Sequence, residues 1–154
     1  MIVQLVELLK EKGQTIGSIE SMTGGLFASS ITSVPGASKV FKGSVISYSP
    51  LIKENVVGVN PQTIEKYGVV SKEVASEMAD NGRKVLDVDY CVSVTGNAGP
   101  TSEPGEAGVG EVYIGLASKE KTAVVKKQFS GERNTIREKS LLAMQEEMIQ
   151  FIKR

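Results

Sequence analysis

The amino-acid sequence predicts an α/β protein: a three-layer α/β/α domain with a mixed sheet and a ligand site at the carboxyl ends of the strands. Three observations carry this. Helix-like segments alternate with three short β-rich runs, at 15–20, 43–48 and 90–95. Two more such runs, at 112–118 and 122–129, are separated only by Lys119-Glu120-Lys121, the spacing of a hairpin, so at least one pair is antiparallel. The length, 154 residues, suits a single domain over 1–154 with a real core.

Each element has a local reason. Val3, Val6, Leu8 and Leu9 form the apolar face of a first helix over 1–12, closed by Gly13. The first strand ends at Glu20, and a short helix over 24–32 is broken by Ser33-Val34-Pro35-Gly36. The β-branched and aromatic residues of Gly43–Tyr48 mark the second strand. Ser49-Pro50 reads as an N-cap followed by proline at the first helical position, and the helix runs through Lys53 and Val56 to about Gly58. Asn60-Pro61 opens another short helix, ended near Gly68. Ser71 caps a longer one, with Val74, Met78, Val85 and Leu86 on a common face and Gly82 as its weak point. The loop from Gly96 to Gly110 is rich in Gly and Pro and long for a compact domain, as functional loops often are. A closing helix over 132–152 carries Ile136, Leu141, Met144, Met148 and Ile149 as its buried stripe.

Composition narrows the chemistry. Lys plus Arg equals Asp plus Glu at 18 each, so no global field favours nucleic acid. No apolar run is long enough to span a membrane, and Glu7 and the helical pattern of the first twelve residues argue against a signal peptide. The single cysteine, Cys91, lies in an apolar run and reads as a buried inert thiol, which makes a cytoplasmic location the expectation. Histidine is absent, so acid–base chemistry falls to Lys, Tyr, Asp, Glu or a terminal amine. Glu103 and Glu106 lack ligand spacing and no Walker loop is present, so neither a metal nor a cofactor is expected.

If the first three strands are parallel, three polar loops meet at one sheet edge, where open α/β sheets bind ligands: Ser21-Met22-Thr23-Gly24-Gly25, Ser47-Tyr48-Ser49, and Thr95-Gly96-Asn97-Ala98-Gly99-Pro100. The alternative is three ordinary surface turns. In the first loop, Thr23, Gly24 and Gly25 leave backbone N–H groups at a helix start, suited to a phosphate or a developing oxyanion. The plainer reading is a Ser21 or Thr23 cap eased by glycines. Ser21 is a candidate nucleophile, and Lys53, near the same edge, a histidine-free base; the plainer reading of Lys53 is a solvated helix lysine. Neutrality near pH 7 asks its pKa to fall by about three units from about 10.4. Two of only four arginines, Arg133 and Arg137, share a face at the start of the last helix and form either an anion site or surface ion pairs.

At this point a resemblance covers nearly the whole chain. Ile19–Gly25 looks like an "ESCTGG" signature, Ile46–Lys53 like "VxYSNxxK", and Gly68–Ser71 like "GAVS". Val94–Pro100 resembles "VTGIAGP", Val109–Gly115 "VGTVYIG", and Phe129–Arg137 "FxGDRxxVR". In this order they are the motifs of the CinA C-terminal-domain family, the nicotinamide-nucleotide amidohydrolases. The resemblance implies hydrolysis of the carboxamide of nicotinamide mononucleotide, a small-molecule nucleotide substrate, to nicotinate mononucleotide and ammonia. It implies Ser21 as nucleophile, Lys53 as base and a functional arginine, Arg133 ahead of Arg137. It puts Thr23, Gly24, Gly25, Tyr48 and Thr95, Gly96, Asn97, Ala98 and Gly99 around the nucleotide, and it suggests a homo-oligomer. Many relatives carry an additional N-terminal domain, whose activity is not implied for a chain that starts at this one. Met22 stands for the signature cysteine, Pro50 for an asparagine, Asn97 for an apolar residue and Ala107-Gly108 for Lys-Pro. These departures touch the rim of the site and bear on substrate affinity. A reading of another class remains: a nucleotide-binding or partner-binding module without turnover.

Overall fold

A computed structural model describes residues 1–154. Its elements run α1 (Ile2–Lys12), β1 (Ile16–Glu20), α2 (Leu26–Thr32), β2 (Phe41–Ile46), α3 (Pro50–Ile52, continuing as a π-helical turn Lys53–Val57), α4 (Pro61–Tyr67), α5 (Lys72–Leu86), β3 (Tyr90–Gly96), β4 (Glu111–Ala117), β5 (Thr122–Gln128) and α6 (Arg133–Lys153). The five strands form one sheet in the order β2-β1-β3-β4-β5. β1 is parallel to both β2 and β3, whereas β4 is antiparallel to β3 and β5. The sheet is therefore mixed, and the carboxyl ends of β2, β1 and β3 lie side by side.

Helices α1, α2 and α6 cover one face over the main core, which includes Leu5, Leu9, Phe27, Ile31, Val92, Ile114, Ile136, Met144 and Met148. A smaller cluster under α5 joins Ile19, Val57, Val59, Val74, Met78, Val88 and Cys91. The second cluster is thin because α5 rests almost on the strands. A Cβ at Gly82 would stand 2.3 Å from Ile19 Cγ1, and one at Gly115 would stand 2.3 Å from the Ala75 carbonyl oxygen. Gly82, weak by helix propensity, is thus the contact that sets the height of α5 above β1 and β3.

The capping residues act as their types predict. Ser49, Asn60 and Ser71 accept from the N–H groups of Ile52, Gln62 and Val74. Three details differ from expectation. β2 starts at Phe41 and stops at Ile46, because Phe41 already pairs with Ile16 of β1, and Lys42 is bulged out before the ladder resumes at Gly43 and Gly17. Val3 is 55% and Val85 51% exposed: the apolar stripes of α1 and α5 are narrower than periodicity suggests. The segment after Pro50 makes a single α-turn and then widens into the π-turn that starts at Lys53.

Candidate functional site

Parallel β1, β2 and β3 bring their three loops to one end of the sheet, around a cavity of about 450 Å³. This lies within the usual range for small-molecule sites, about 300–1,000 Å³. Ser21, Met22, Tyr48, Lys53, Thr95, Gly96, Asn97, Ala98 and Arg133 are in its wall, with Tyr67–Val70, Thr101 and Gly105–Ala107 closing the other side.

Lys53 is 2% exposed, so it is not a solvated helix lysine. Its Nζ donates to Ser21 Oγ at 2.9 Å and to the Ser47 carbonyl oxygen. The π-turn begins at this residue; such turns recur at functional sites. No carboxylate forms an ion pair with Lys53. Desolvation by burial lowers its pKa from 10.5 to about 8. At pH 7 about one such lysine in ten is neutral.

The two arginines of α6 also reach this end of the sheet. Arg133 donates to the Gly99 carbonyl at 2.6 Å and to Tyr48 Oη at 3.2 Å, with its guanidinium in the cavity wall. Arg137 donates to the carbonyls of Met22 at 2.8 Å and Thr23 at 3.1 Å, and to Asn134 Oδ1. Neither pairs with an acid, which excludes the surface-ion-pair reading in this structure.

A family model described as the CinA C-terminal domain matches residues 1–152. The chain belongs to the CinA C-terminal domain family. A protein of Thermoanaerobacter pseudethanolicus is 49% identical over 138 residues, which covers 90% of this chain and 33% of that protein. A CinA-like protein of Thermosipho melanesiensis is 46% identical over 142 residues, covering 91% of this chain and 35% of the relative. The chain thus spans about a third of the length of these curated relatives. The crystal structure of a competence or damage-inducible protein from Enterobacter asburiae superposes with a TM-score of 0.95 at 23% identity, covering 98% of this chain and 95% of that one. It shares the fold. A competence/damage inducible protein of Agrobacterium tumefaciens superposes with a TM-score of 0.94 at 25% identity, over 99% and 93% of the two chains.

Within this CinA domain, several residues expected in the lining do other work. Thr23, Gly24, Gly25, Gly99 and Arg137 lie outside the cavity wall. The start of α2 is not an open anion site, because the side chain of Glu20 fills it. Glu20 Oε1 accepts from Thr23 Oγ1 at 2.7 Å and from the N–H groups of Gly25 and Phe27, both at 3.1 Å. Its Oε2 accepts from the Ala28 N–H at 3.0 Å and Ser18 Oγ at 3.1 Å. The Gly24 N–H is bonded to the Ser21 carbonyl. An oxyanion or phosphate therefore finds no free donor at Gly24 or Gly25. The N–H groups of the wall residues Met22 and Ala98, by contrast, have no acceptor within the chain.

Asn97 adds less to the pocket than its polarity suggests. Its Oδ1 accepts from the Gly99 N–H at 2.8 Å, and its Nδ2 donates to the carbonyls of Thr101 at 3.2 Å and Ala107 at 2.9 Å. The side chain staples the loop at 97–110 to itself. Thr95 Oγ1 donates to the Val69 carbonyl at 2.8 Å, tying the segment after α4 to β3. Two important residues were not singled out from sequence. Glu20 carried a legible signal: an acid closing a short apolar strand, just before a glycine turn. Ser47 is marked only as part of a polar loop, because the group it offers Lys53 is its backbone carbonyl, which residue type does not reveal. Cys91 is fully buried, and desolvation pushes its thiol pKa far up, as suits an inert side chain. No group of three or more His, Cys, Asp or Glu side chains is placed to hold a metal ion.

Proposed function

We propose that this domain hydrolyses the carboxamide of nicotinamide mononucleotide, giving nicotinate mononucleotide and ammonia. The observation that carries the reading is the 2.9 Å contact between the Lys53 amine and the Ser21 hydroxyl, in a buried site where the amine pKa falls to about 8. A lysine loosened in this way is a base for a serine nucleophile without histidine. The neutral amine keeps its bond to the Ser47 carbonyl and turns its lone pair to the Ser21 O–H.

Ser21 Oγ then bonds to the amide carbon while its proton passes to Lys53 Nζ. The resulting oxyanion is met by the N–H groups of Met22 and Ala98, two of the backbone donors in the wall that have no acceptor within the chain. Lys53 returns the proton to the amide nitrogen, the C–N bond breaks and ammonia leaves. Water attacks the ester, Lys53 takes one of its protons, and that proton goes back to Ser21 as the acid is released. The substrate phosphate pairs with Arg133, which lies in the wall and carries N–H groups beyond the two it spends on Gly99 and Tyr48. The Glu20-filled start of α2 supports this assignment by leaving the phosphate no helix terminus there.

The test is ammonia release from nicotinamide mononucleotide by the purified chain and its variants. Ser21→Ala is expected to abolish it with the fold retained; full activity in that variant would remove the mechanism. Lys53→Met separates an enzyme from a binding module, because only the former loses rate while affinity for the nucleotide persists.

A further inference from the structure

Residue 20 is bonded both to the nucleophile's turn and to the base's anchor. Its side chain takes five hydrogen bonds, four of them from residues 23–28 that follow Ser21. Its backbone carbonyl accepts from the Ser47 N–H at 2.7 Å and from Ser47 Oγ at 3.2 Å. Ser47 in turn offers its own carbonyl to Lys53 Nζ. Ser21 follows Glu20 directly and is tied through Lys53 into the same ring. The carboxylate lies fully out of water, and every partner it has is a donor. It thus acts as a built-in anion at the start of α2, where an open strand-to-helix turn would take one from solution.

We propose that Glu20 is a positioning residue that holds the Ser21 hydroxyl within reach of the Lys53 amine. Touching neither reacting atom through its side chain, it acts by locking residues 23–28 to the end of β1. The same carboxylate excludes substrate and buffer anions from the helix start. This inference rests on the Ser21–Lys53 reading, but not on the identity of the substrate.

The experiment follows from that independence. A fluorophosphonate probe reacts with an activated serine: the Oγ–P bond forms, the P–F bond breaks, fluoride leaves and the proton goes to the base. Labelling of Ser21 is followed by mass spectrometry against pH, with circular dichroism to establish the folded fraction. In the wild type, labelling rises through a pH near the Lys53 pKa, about 8. Folded Glu20→Gln keeps that midpoint, but its plateau falls between about tenfold and about a hundredfold, the loss expected for a reacting atom displaced by an ångström or less. Glu20→Ala falls further and regains rate with formate, but not with chloride at the same ionic strength.

A folded Glu20→Gln with the wild-type plateau overturns the proposal, as does a shifted midpoint, which would mean that Glu20 acts on the titration of Lys53. If both Glu20 variants fail to fold, Thr23→Val removes one donor and leaves the charge; a partial loss of plateau supports the proposal and an unchanged plateau overturns it. An unlabelled wild type instead removes the Ser21–Lys53 reading, and this inference with it.

Discussion

Glu20 closes β1 and Lys53 opens the π-turn that follows β2 and α3; both are withdrawn from water, and the protein treats them in opposite ways. Glu20 is 0% exposed and meets five donors; Lys53 is 2% exposed and meets two acceptors, neither of them charged. Burying a charge is costly unless it is paired or fully hydrogen-bonded. The carboxylate is compensated by helix N–H groups and hydroxyls, so it serves as a fixed part of the scaffold. The ammonium is compensated poorly, and its proton is loosened to about 8. Burial alone therefore does not distinguish a reactive group from a structural one; the number and kind of partners do.

The sharpest way to break this contrast is Lys53→Met. The rate of amide hydrolysis is expected to fall by about 10²–10⁴, the usual contribution of a positioned base. Stability at pH 7 is expected to rise by about 1–2 kcal/mol, as measured by urea unfolding, because a poorly solvated ammonium has been removed. The sign follows from the two pKa values. Folded Lys53 titrates near 8 against 10.5 for the ordinary group, so below pH 8 its burial is a full deficit, on the order of 3 kcal/mol. The deficit shrinks as pH rises from 8 to 10.5, and the gain from Lys53→Met should shrink with it. A variant less stable than the wild type at pH 7 would mean that the ammonium is well compensated after all.

Arg133→Met comes next. Loss of a charged hydrogen-bonding partner costs about 1.5–3 kcal/mol, or roughly 10–100-fold in KM for the mononucleotide. The corresponding nucleoside, which lacks the phosphate, should be affected much less; equal losses on both would refute the phosphate assignment. The pH profile is a comparable test. Below pH 8 the rate should rise about tenfold per pH unit as Lys53 loses its proton, then level off above about pH 9. A rate that falls with pH over this range would exclude a lysine base.

The smallest effect is expected from Arg137→Lys. A lysine can reach one carbonyl of the Ser21 turn but cannot bridge the Met22 and Thr23 carbonyls as the guanidinium does. A fall in kcat of about three- to tenfold with little change in KM would mark Arg137 as support for the turn. A rise in KM alone would return it to the substrate site.

Much of this was legible beforehand, for local reasons. Ser49, Asn60 and Ser71 announced three helix starts, because a short polar side chain before a helix has few better uses. The hairpin was set by a three-residue break between two β-rich runs. Ser21 and Lys53, 32 positions apart, were identifiable as a pair because parallel strands would bring their segments to one sheet edge, and the order of the motifs pointed the same way. What was not legible shares one cause. Thr23, Gly24, Gly25 and Asn97 were judged by what their own groups could offer a ligand, and those groups are engaged by other parts of the chain. Val3 and Val85 failed likewise: periodicity finds the apolar side of a helix but not the width of the surface that meets it.

The sequence by itself determined the elements, their caps, the mixed sheet and the absence of histidine chemistry, because each depends on residues close together in the chain or on composition alone. The tertiary structure decided which hydrogen-bonding groups remain free. A donor's availability depends on every acceptor within about 3 Å, whatever its place in the chain. Glu20 consumes the donors at the start of α2, while Lys53 is left with too few partners to keep its proton firmly.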